Sequence, residues 1–414
     1  MRGVLEAVAP RRLGLDFRWL LGSSWLNSVG SGMALAAGPL LVASRTGDAR
    51  LISLAALLDW LPGMLFGLYA GVLADRHDRR LMMVLGNALR AVILVALVTM
   101  LVTHRISIAA VLVTMFVQGT SDTFTQAAGG AVLPMIVRSE DLGVASSRFQ
   151  FGAMGLNRLI GPPLGALLFG LGEAWPFATQ LICSALAAVL LAQMVLPQHG
   201  TARDQRRRAT VEIREGWRWS WAQPAMRTLN LQIVAFNLAY GAVWSTMVLY
   251  AHRRLGLSDA GYGLLLASIA VGGVVGAAAY GWLERTFSMA SIMRAGLVWE
   301  ASTWGVLAWT RHWWVALPAL ALFGVHEACW GAIFAAIRGR IVPTVLMGRV
   351  SAVYILLLTG GLVVGAAVGG PLSHRFGLAA PYWFGFGCAG LVLVAIWPQL
   401  RHLTYEQEAA PEPS

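Results

Sequence analysis

Lysine is absent from this 414-residue chain, so all 31 of its basic residues are arginine. That excludes a phosphate-binding loop of the G-x-x-x-x-G-K-[ST] type and any Schiff-base chemistry. Charge of either sign is scarce. Only 12% of residues are charged, against roughly 25% in an ordinary soluble domain. Cysteine is nearly missing too. Cys183, Cys329 and Cys388 all fall in apolar stretches, and an odd set so placed gives neither a disulfide framework nor the spacing of a metal site. The N-terminus, MRGVLEAVAPRRLGLDFRW, is not followed by a short apolar segment with a small-residue cleavage site, so the first long apolar segment is expected to be a retained anchor.

Apolar residues are what the chain has in excess. They make up 57% of the sequence, and the mean hydropathy is +0.65. A soluble protein of this size has too little interior to hide them, so lipid must serve as solvent. A helix needs about 20 apolar residues to cross a hydrocarbon core of ~30 Å. Twelve such segments lie near 19–42, 51–73, 81–103, 107–131, 145–170, 175–196, 226–250, 260–283, 289–310, 313–337, 349–371 and 380–398. The polar stretch 197–225, with Arg203, Arg206, Arg207 and Arg208, separates six spans from six. The reading is an all-α membrane protein with a first half over 1–196, a linker over 197–225, a second half over 226–398 and a tail over 399–414.

Arginine placement orients the chain. With the N-terminus inside, the cytoplasmic segments hold 22 arginines and the outer loops seven (Arg45, Arg50, Arg105, Arg253, Arg254, Arg311 and Arg375). That bias predicts a multi-pass protein of the inner (plasma) membrane with both termini cytoplasmic. It also accounts for the net charge of +11 without nucleic acid. The halves echo each other. Residues 71–80 (GVLADRHDRR) follow the second span as 281–286 (GWLERT) follow the eighth, and 132–144 precede the fifth as 340–350 precede the eleventh. Internal repeats are how many secondary transporters are built.

Three motifs carry a resemblance. The loop from Gly71 through Asp75, Arg76, Asp78, Arg79 and Arg80 is similar to the signature between helices 2 and 3 of the major facilitator superfamily. Gly161-Pro162-Pro163-x-Gly165 resembles the glycine–proline motif of that family's exporters. The segment from Glu212 through Gly216 and Trp219 to Pro224 resembles the region after the linker in its macrolide-efflux and enterobactin-exporter branch. Met115 stands where the family often has an arginine, three residues before Gln118-Gly119.

The resemblance implies two six-helix bundles around a central cavity that alternates its access. It implies a conformational latch of Gly71, Asp75, Arg76 and Arg80, with Asp75 at the N-terminus of helix 11, where an acid gains about 0.3–1 kcal/mol. Gly71 is expected to allow close backbone approach, and the arginines to meet acids or lipid headgroups. Gly161 and Pro162 are expected to form a hinge, a tight seam between the halves, or a static kink.

Ionisable groups at mid-depth are costly and are functional candidates by default. At 1.5 Å per residue, Asp59 lies roughly 18 Å, Arg90 and Asp122 roughly 14 Å and Arg158 roughly 20 Å from the inner face. The second half holds Glu300, His326 and Glu327 near the middle of its spans. A carboxyl that alternates between apolar and arginine-paired surroundings changes its proton affinity. Because helices 3, 6, 9 and 12 are peripheral in the family, Asp59, Asp122 and Glu327 are the expected titrating groups and Arg158 the counter-charge. Arg90 and Glu300 are set aside, and His326 is read as a packing residue. The competing reading makes Asp59–Arg90 and Asp122–Arg158 permanent ion pairs.

Asn237, Tyr240 and Trp244 share a face of helix 7 at i, i+3 and i+7. With Trp25, Asn27 and Ser28 of helix 1 and Trp330 of helix 10, they are the expected cavity lining for an amphipathic or cationic ligand. The expected function is proton-coupled export of hydrophobic or amphipathic small molecules, with a siderophore or lipid-like metabolite as the alternative cargo. Small-molecule substrate, protons and membrane lipids are the expected partners of a monomer with no cofactor, no metal and no catalytic centre. A polytopic enzyme is disfavoured because the eight histidines show no paired spacing. A sensor is disfavoured because neither terminus has room for an attached soluble domain.

Overall fold

A computed structural model describes residues 11–196 and 209–397. Twelve helical rods run through them, separated by short turns. They are α1 (Leu15–Arg45), α2 (Ala49–Arg76), α3 (Arg79–Val102), α4 (Ile108–Ile136), α5 (Leu142–Leu171, in three pieces) and α6 (Trp175–Ala192), then α7 (Pro224–Trp244, continued by Met247–Arg254), α8 (Asp259–Thr286), α9 (Met289–Trp309), α10 (Trp313–Ile341), α11 (Met347–Phe376) and α12 (Ala380–Ile396). By length and composition alone, seven of them can cross a membrane, and the bent α7 pair makes an eighth. A further helix, Ala209–Ala222, precedes α7. The arginines of 203–208 and the tail beyond Trp397 lie outside the described residues.

The sequence explains where the rods start and stop. Asp78 caps α3 by accepting from the Arg80 and Leu81 amides at 2.8 and 3.2 Å. Ser107 and Ser288 cap α4 and α9 in the same way, each at 3.2 Å. Proline opens the first turn of α6, α7 and α12, where no amide donor is needed. Gly377, at φ 89°, closes α11. Large apolar side chains, among them Leu85, Val92, Leu171, Leu391 and Val394, face outward, as they must where hydrocarbon is the solvent.

Two rods are broken, each for a local reason. In α5, residues Gly152–Ile160 are π-helical, and the Gly161 amide reaches Leu156 O, five residues back. Pro162 and Pro163 supply no amides to return the ladder to α register. In α7 the axis bends by 49° after Trp244. There the Ser245 and Thr246 hydroxyls donate to Ala242 O at 3.1 and 3.4 Å, competing with the backbone ladder.

The contacts divide the chain into two compact units. One takes the chain up to Gly47, Leu58–Arg206 and Ser258–Ala267; the other takes Asp48–Leu57, Arg207–Leu257 and the chain from Ser268 onward. The opening turns of α2 and α8 are thus each counted with the opposite unit. In the first unit, a Cβ on Gly161 would stand 2.5 Å from Gly32 Cα, and one on Gly165 would run into Met33 O, so α1 and α5 touch backbone to backbone. In the second unit, Gly365 and Gly369 bring α11 equally close to Leu238 and Ala242 of α7. The repeat read from the sequence therefore has a packing counterpart. It is also visible where short 3-10 turns, Ser139–Asp141 and Thr344–Leu346, lead into α5 and α11.

Candidate functional site

In the first unit, polar chemistry gathers on Arg90. The residue is 1% exposed and its guanidinium is ion-paired to Asp122 of α4. A second nitrogen reaches Ser31 Oγ of α1 at 3.3 Å, so one guanidinium ties three helices. This corrects two expectations. Arg90 is not peripheral, and Asp122 pairs with Arg90 rather than with Arg158, which lies exposed on the π-helical stretch of α5. Depth already pointed this way, since Arg90 and Asp122 come out level. Asp59 is partly buried on α2, within the electrostatic reach of Arg90. A Cβ on Gly119 would collide with Asp59 O, so the Gln118-Gly119 step brings α4 against the Asp59 backbone. Gln118 itself accepts from Gln180 Nε2 of α6 at 2.7 Å. Met115, in place of the arginine, is buried with its sulfur against Gly38 of α1.

The loop signature is built differently from the expectation. Nothing lies within 4 Å of a Cβ on Gly71, nor on Gly281 at the corresponding place in α8, so neither glycine marks a close approach here. Arg79 and Arg80 donate to backbone carbonyls, Arg79 Nε to Ala74 O at 2.9 Å and Arg80 to Ala192 O, which staples α3 to the ends of α2 and α6. Arg76 is exposed, and the Asp75 side chain lies outside the described residues. Around Gly161 and Pro162 the structure has close helix contacts and a change of register. Gly161 and Gly165 meet α1, and on another face Pro162, Pro163 and Ala166 surround Gly263 of α8. Asn157 donates to Ser28 O at 3.2 Å.

In the second unit an aromatic ladder runs along α7. Phe236 and Tyr240 stack at 5.8 Å, and Tyr240 and Trp244 at 5.1 Å. Phe323 of α10 lies parallel to Phe236 at 5.9 Å and 6.2 Å from Tyr240. The ladder steps at i, i+4 and i+8, and its α7 rings are only partly buried. Asn237 is not on it: that side chain is buried, returns a bond to Ile233 O of its own helix at 2.8 Å, and its Cβ faces Gly361 of α11. Trp330 is buried in a core with Met293, Leu297 and Ile333. The spacing of Phe236 was visible in the sequence, whereas Phe323, on another helix, was not.

A smaller ring cluster in the first unit joins Phe66 of α2 to Phe116 and Phe124 of α4 at 6.5 and 6.4 Å. Trp25 donates to Arg148 O at 3.1 Å and leans on Phe151. Asn27 Oδ1 is a buried acceptor with no partner among the described residues. Glu327 is partly buried. Its neighbour His326 and the set-aside Glu300 are both buried and face each other, with His326 Nε2 3.6 Å from Glu300 Oε2.

The family described as transmembrane secretion effector matches residues 6–414. The chain belongs to this branch of the major facilitator superfamily. The transporter is 25% identical over 390 residues to the multidrug efflux pump Tap of Mycolicibacterium fortuitum, covering 90% of this chain and 93% of the pump. It is 24% identical over 396 residues to the enterobactin exporter EntS of Salmonella typhimurium, 93% of each. It is 27% identical over 157 residues to macrolide efflux protein A of Streptococcus pyogenes, 38% of each. Its fold is similar to that of a mutant form of the nucleoside transporter NupG, at TM-score 0.74, 11% identity and coverage of 94% of this chain and 100% of the other. It is also similar to a bacterial homologue of the iron transporter ferroportin, at TM-score 0.73, 17% identity and coverage of 93% and 98%. The fold expected from the sequence, twelve membrane helices in the major facilitator arrangement, is borne out.

Proposed function

We propose that this transporter exports hydrophobic or amphipathic small molecules by alternating access, driven by protons, with the Asp75-bearing ends of its helices on the cytoplasmic side of the inner membrane. The observation that carries the cargo class is the ladder Phe236–Tyr240–Trp244 with Phe323. Partly open aromatic faces reward flat, apolar or cationic ligands and ask for few directed hydrogen bonds. Similarity to efflux proteins over nine-tenths of the chain supports the direction. The full-length likeness to an enterobactin exporter keeps a siderophore as the second cargo to test.

For coupling, Asp59 and Asp122 remain the proton carriers of the first half, with Arg90 in the role first given to Arg158, and Glu327 the candidate carboxyl of α10. Protonating Asp122 removes the counter-charge that holds the guanidinium, which loosens the tie among α1, α3 and α4. Gly71, Asp75, Arg76 and Arg80 remain the proposed latch, engaged at the cytoplasmic ends in one state of the cycle. Substrate movement is tested in proteoliposomes loaded to give an imposed pH gradient, with ethidium or a catecholate siderophore as cargo. Uphill accumulation that collapses with a protonophore supports the reading. Movement indifferent to the gradient rejects proton coupling, and movement of neither cargo rejects the cargo class.

A further inference from the structure

Glu300 of α9 is 2% exposed, Gln232 of α7 is 2% and His326 of α10 is 6%. Gln232 Nε2 donates to Glu300 Oε2 at 3.2 Å, and His326 Nε2 points at the same oxygen from 3.6 Å. Among the described residues no arginine is paired with Glu300, and the other titratable group facing it is the Cys388 thiol of α12. Around the imidazole stand the uncharged rings of Phe323, Trp330 and Phe236, at 6.2, 5.9 and 6.5 Å. The ring is housed by Gly296 of α9, where a Cβ would come within 2.8 Å of Nδ1.

This arrangement calls for a proton. With Glu300 ionised and His326 neutral, the site would hold a lone negative charge in an apolar interior, whichever imidazole nitrogen carries the hydrogen. One proton between Oε2 and Nε2, formally on either atom, makes the site neutral and gives the unpartnered Nε2 a bond to Oε2. Phe323 is on the same helix, three residues before His326, and it closes the aromatic ladder of α7.

We propose that Glu300 and His326 bind one proton between them, and that this proton holds α10 so that Phe323 fills the aromatic surface against an amphipathic ligand. Proton uptake from water makes one Nε2–H···Oε2 or O–H···Nε2 bond. Its release leaves the Glu300 carboxylate without a counter-charge in the apolar interior, which weakens the hold between α9 and α10 and lets the α10 face yield. The link to ligand rests on the proposed cargo surface, whereas the proton site stands on the buried triad alone.

Two measurements on the purified full-length transporter separate these parts. Ethidium binding is followed by fluorescence against pH. Competition by a single proton weakens apparent affinity by about tenfold per pH unit on the acid side of the transition, and Glu300→Gln and His326→Gln each flatten that slope. A wild-type slope retained in both variants overturns the competition. Carboxyl-region infrared titration needs no ligand. Loss of one titrating carboxyl in Glu300→Gln, and a displaced midpoint for it in His326→Gln, support the proton site even if ethidium is not a substrate. An unchanged titration in both variants overturns the site. Should Glu300→Gln fail to fold, the His326→Gln titration decides.

Discussion

Arg90 and Asp122 form an ion pair whose two ends live in different surroundings: the arginine side chain is 2% exposed and the aspartate 33%. Removing the aspartate charge leaves the buried guanidinium without its ion-pair partner and with Asp59 as its remaining negative neighbour, while removing both charges does not. A fully buried pair broken on one side costs roughly 3–5 kcal/mol. With Asp122 partly open, Asp122→Asn is expected to cost about 2 kcal/mol, and Arg90→Gln added to it to restore part of that loss. Thermal melting of the detergent-purified single and double variants checks this. A double variant as unstable as the sum of its parts would show that the pair is not coupled.

Glycine positions sort into two groups with opposite expectations. Gly365 lies against Leu238 O and the Ala242 amide, so Gly365→Ala must push α7 and α11 apart, at about 1–3 kcal/mol. Gly71 and Gly281 have open space where a methyl would go, and alanine there is expected to leave the melting temperature level or raise it slightly. If Gly71→Ala melts normally yet slows gradient-driven transport, the latch engages in a state other than the one described. If transport is also normal, Gly71 has no part in a latch.

The fold was legible because its causes are local. Apolar runs of spanning length, a capping Asp78 or Ser107, and prolines at helix starts all act within a few residues of where they are read. The doubled proline after Gly161 likewise announced a disturbance in α5, though not that it takes the form of a π-helical register. Partnerships between helices were harder to read. The sequence reading pairs Asp59 with Arg90 and Asp122 with Arg158, whereas equal depth alone favours Arg90 for Asp122. Glu300 is set aside because helix 9 is peripheral in the family, and His326 is read as packing because it points away from Glu327. A histidine and a carboxylate 26 positions apart reveal their meeting only once α9 and α10 are placed side by side. The aromatic ladder falls in between. Its α7 rungs follow helical period, at i, i+4 and i+8 from Phe236 rather than at i, i+3 and i+7 from Asn237.

Acid should act on one exposed corner of the second unit. Asp48 accepts from the side chain and backbone of Arg50 and lies 3.6 Å from His374. The Arg50 guanidinium, chiefly through its hydrogen bond, holds the Asp48 carboxyl down to about 2 from the ordinary 3.8. A depressed carboxyl contributes stability above its unfolded value and loses it as pH falls toward the folded one. The contribution should therefore be complete above pH ~4 and vanish on the way to about 2, and since the group is largely solvated it should stay below ~1 kcal/mol. Melting temperatures of wild type and Asp48→Asn are expected to differ at pH 6 and to converge toward pH 2. A constant difference across that range would remove Asp48 from the acid response.

The aromatic ladder predicts a division between binding and stability. Tyr240 and Trp244 are partly open and stack on one another, each ring pair adding about 0.5–1.5 kcal/mol of stacking beyond burial. If an amphipathic cargo stacks on the same faces, Trp244→Ala should raise the KM for ethidium transport about 2- to 13-fold and leave kcat nearly unchanged. That is the signature of lost ground-state binding. Trp244→Phe should recover most of it. Asn237→Ala, one residue from the ladder but turned toward α11 and bonded to Ile233 O, should instead lower the melting temperature with little change in KM. The reverse result, a KM effect from Asn237→Ala and none from Trp244→Ala, would remove the aromatic ladder from the cargo surface.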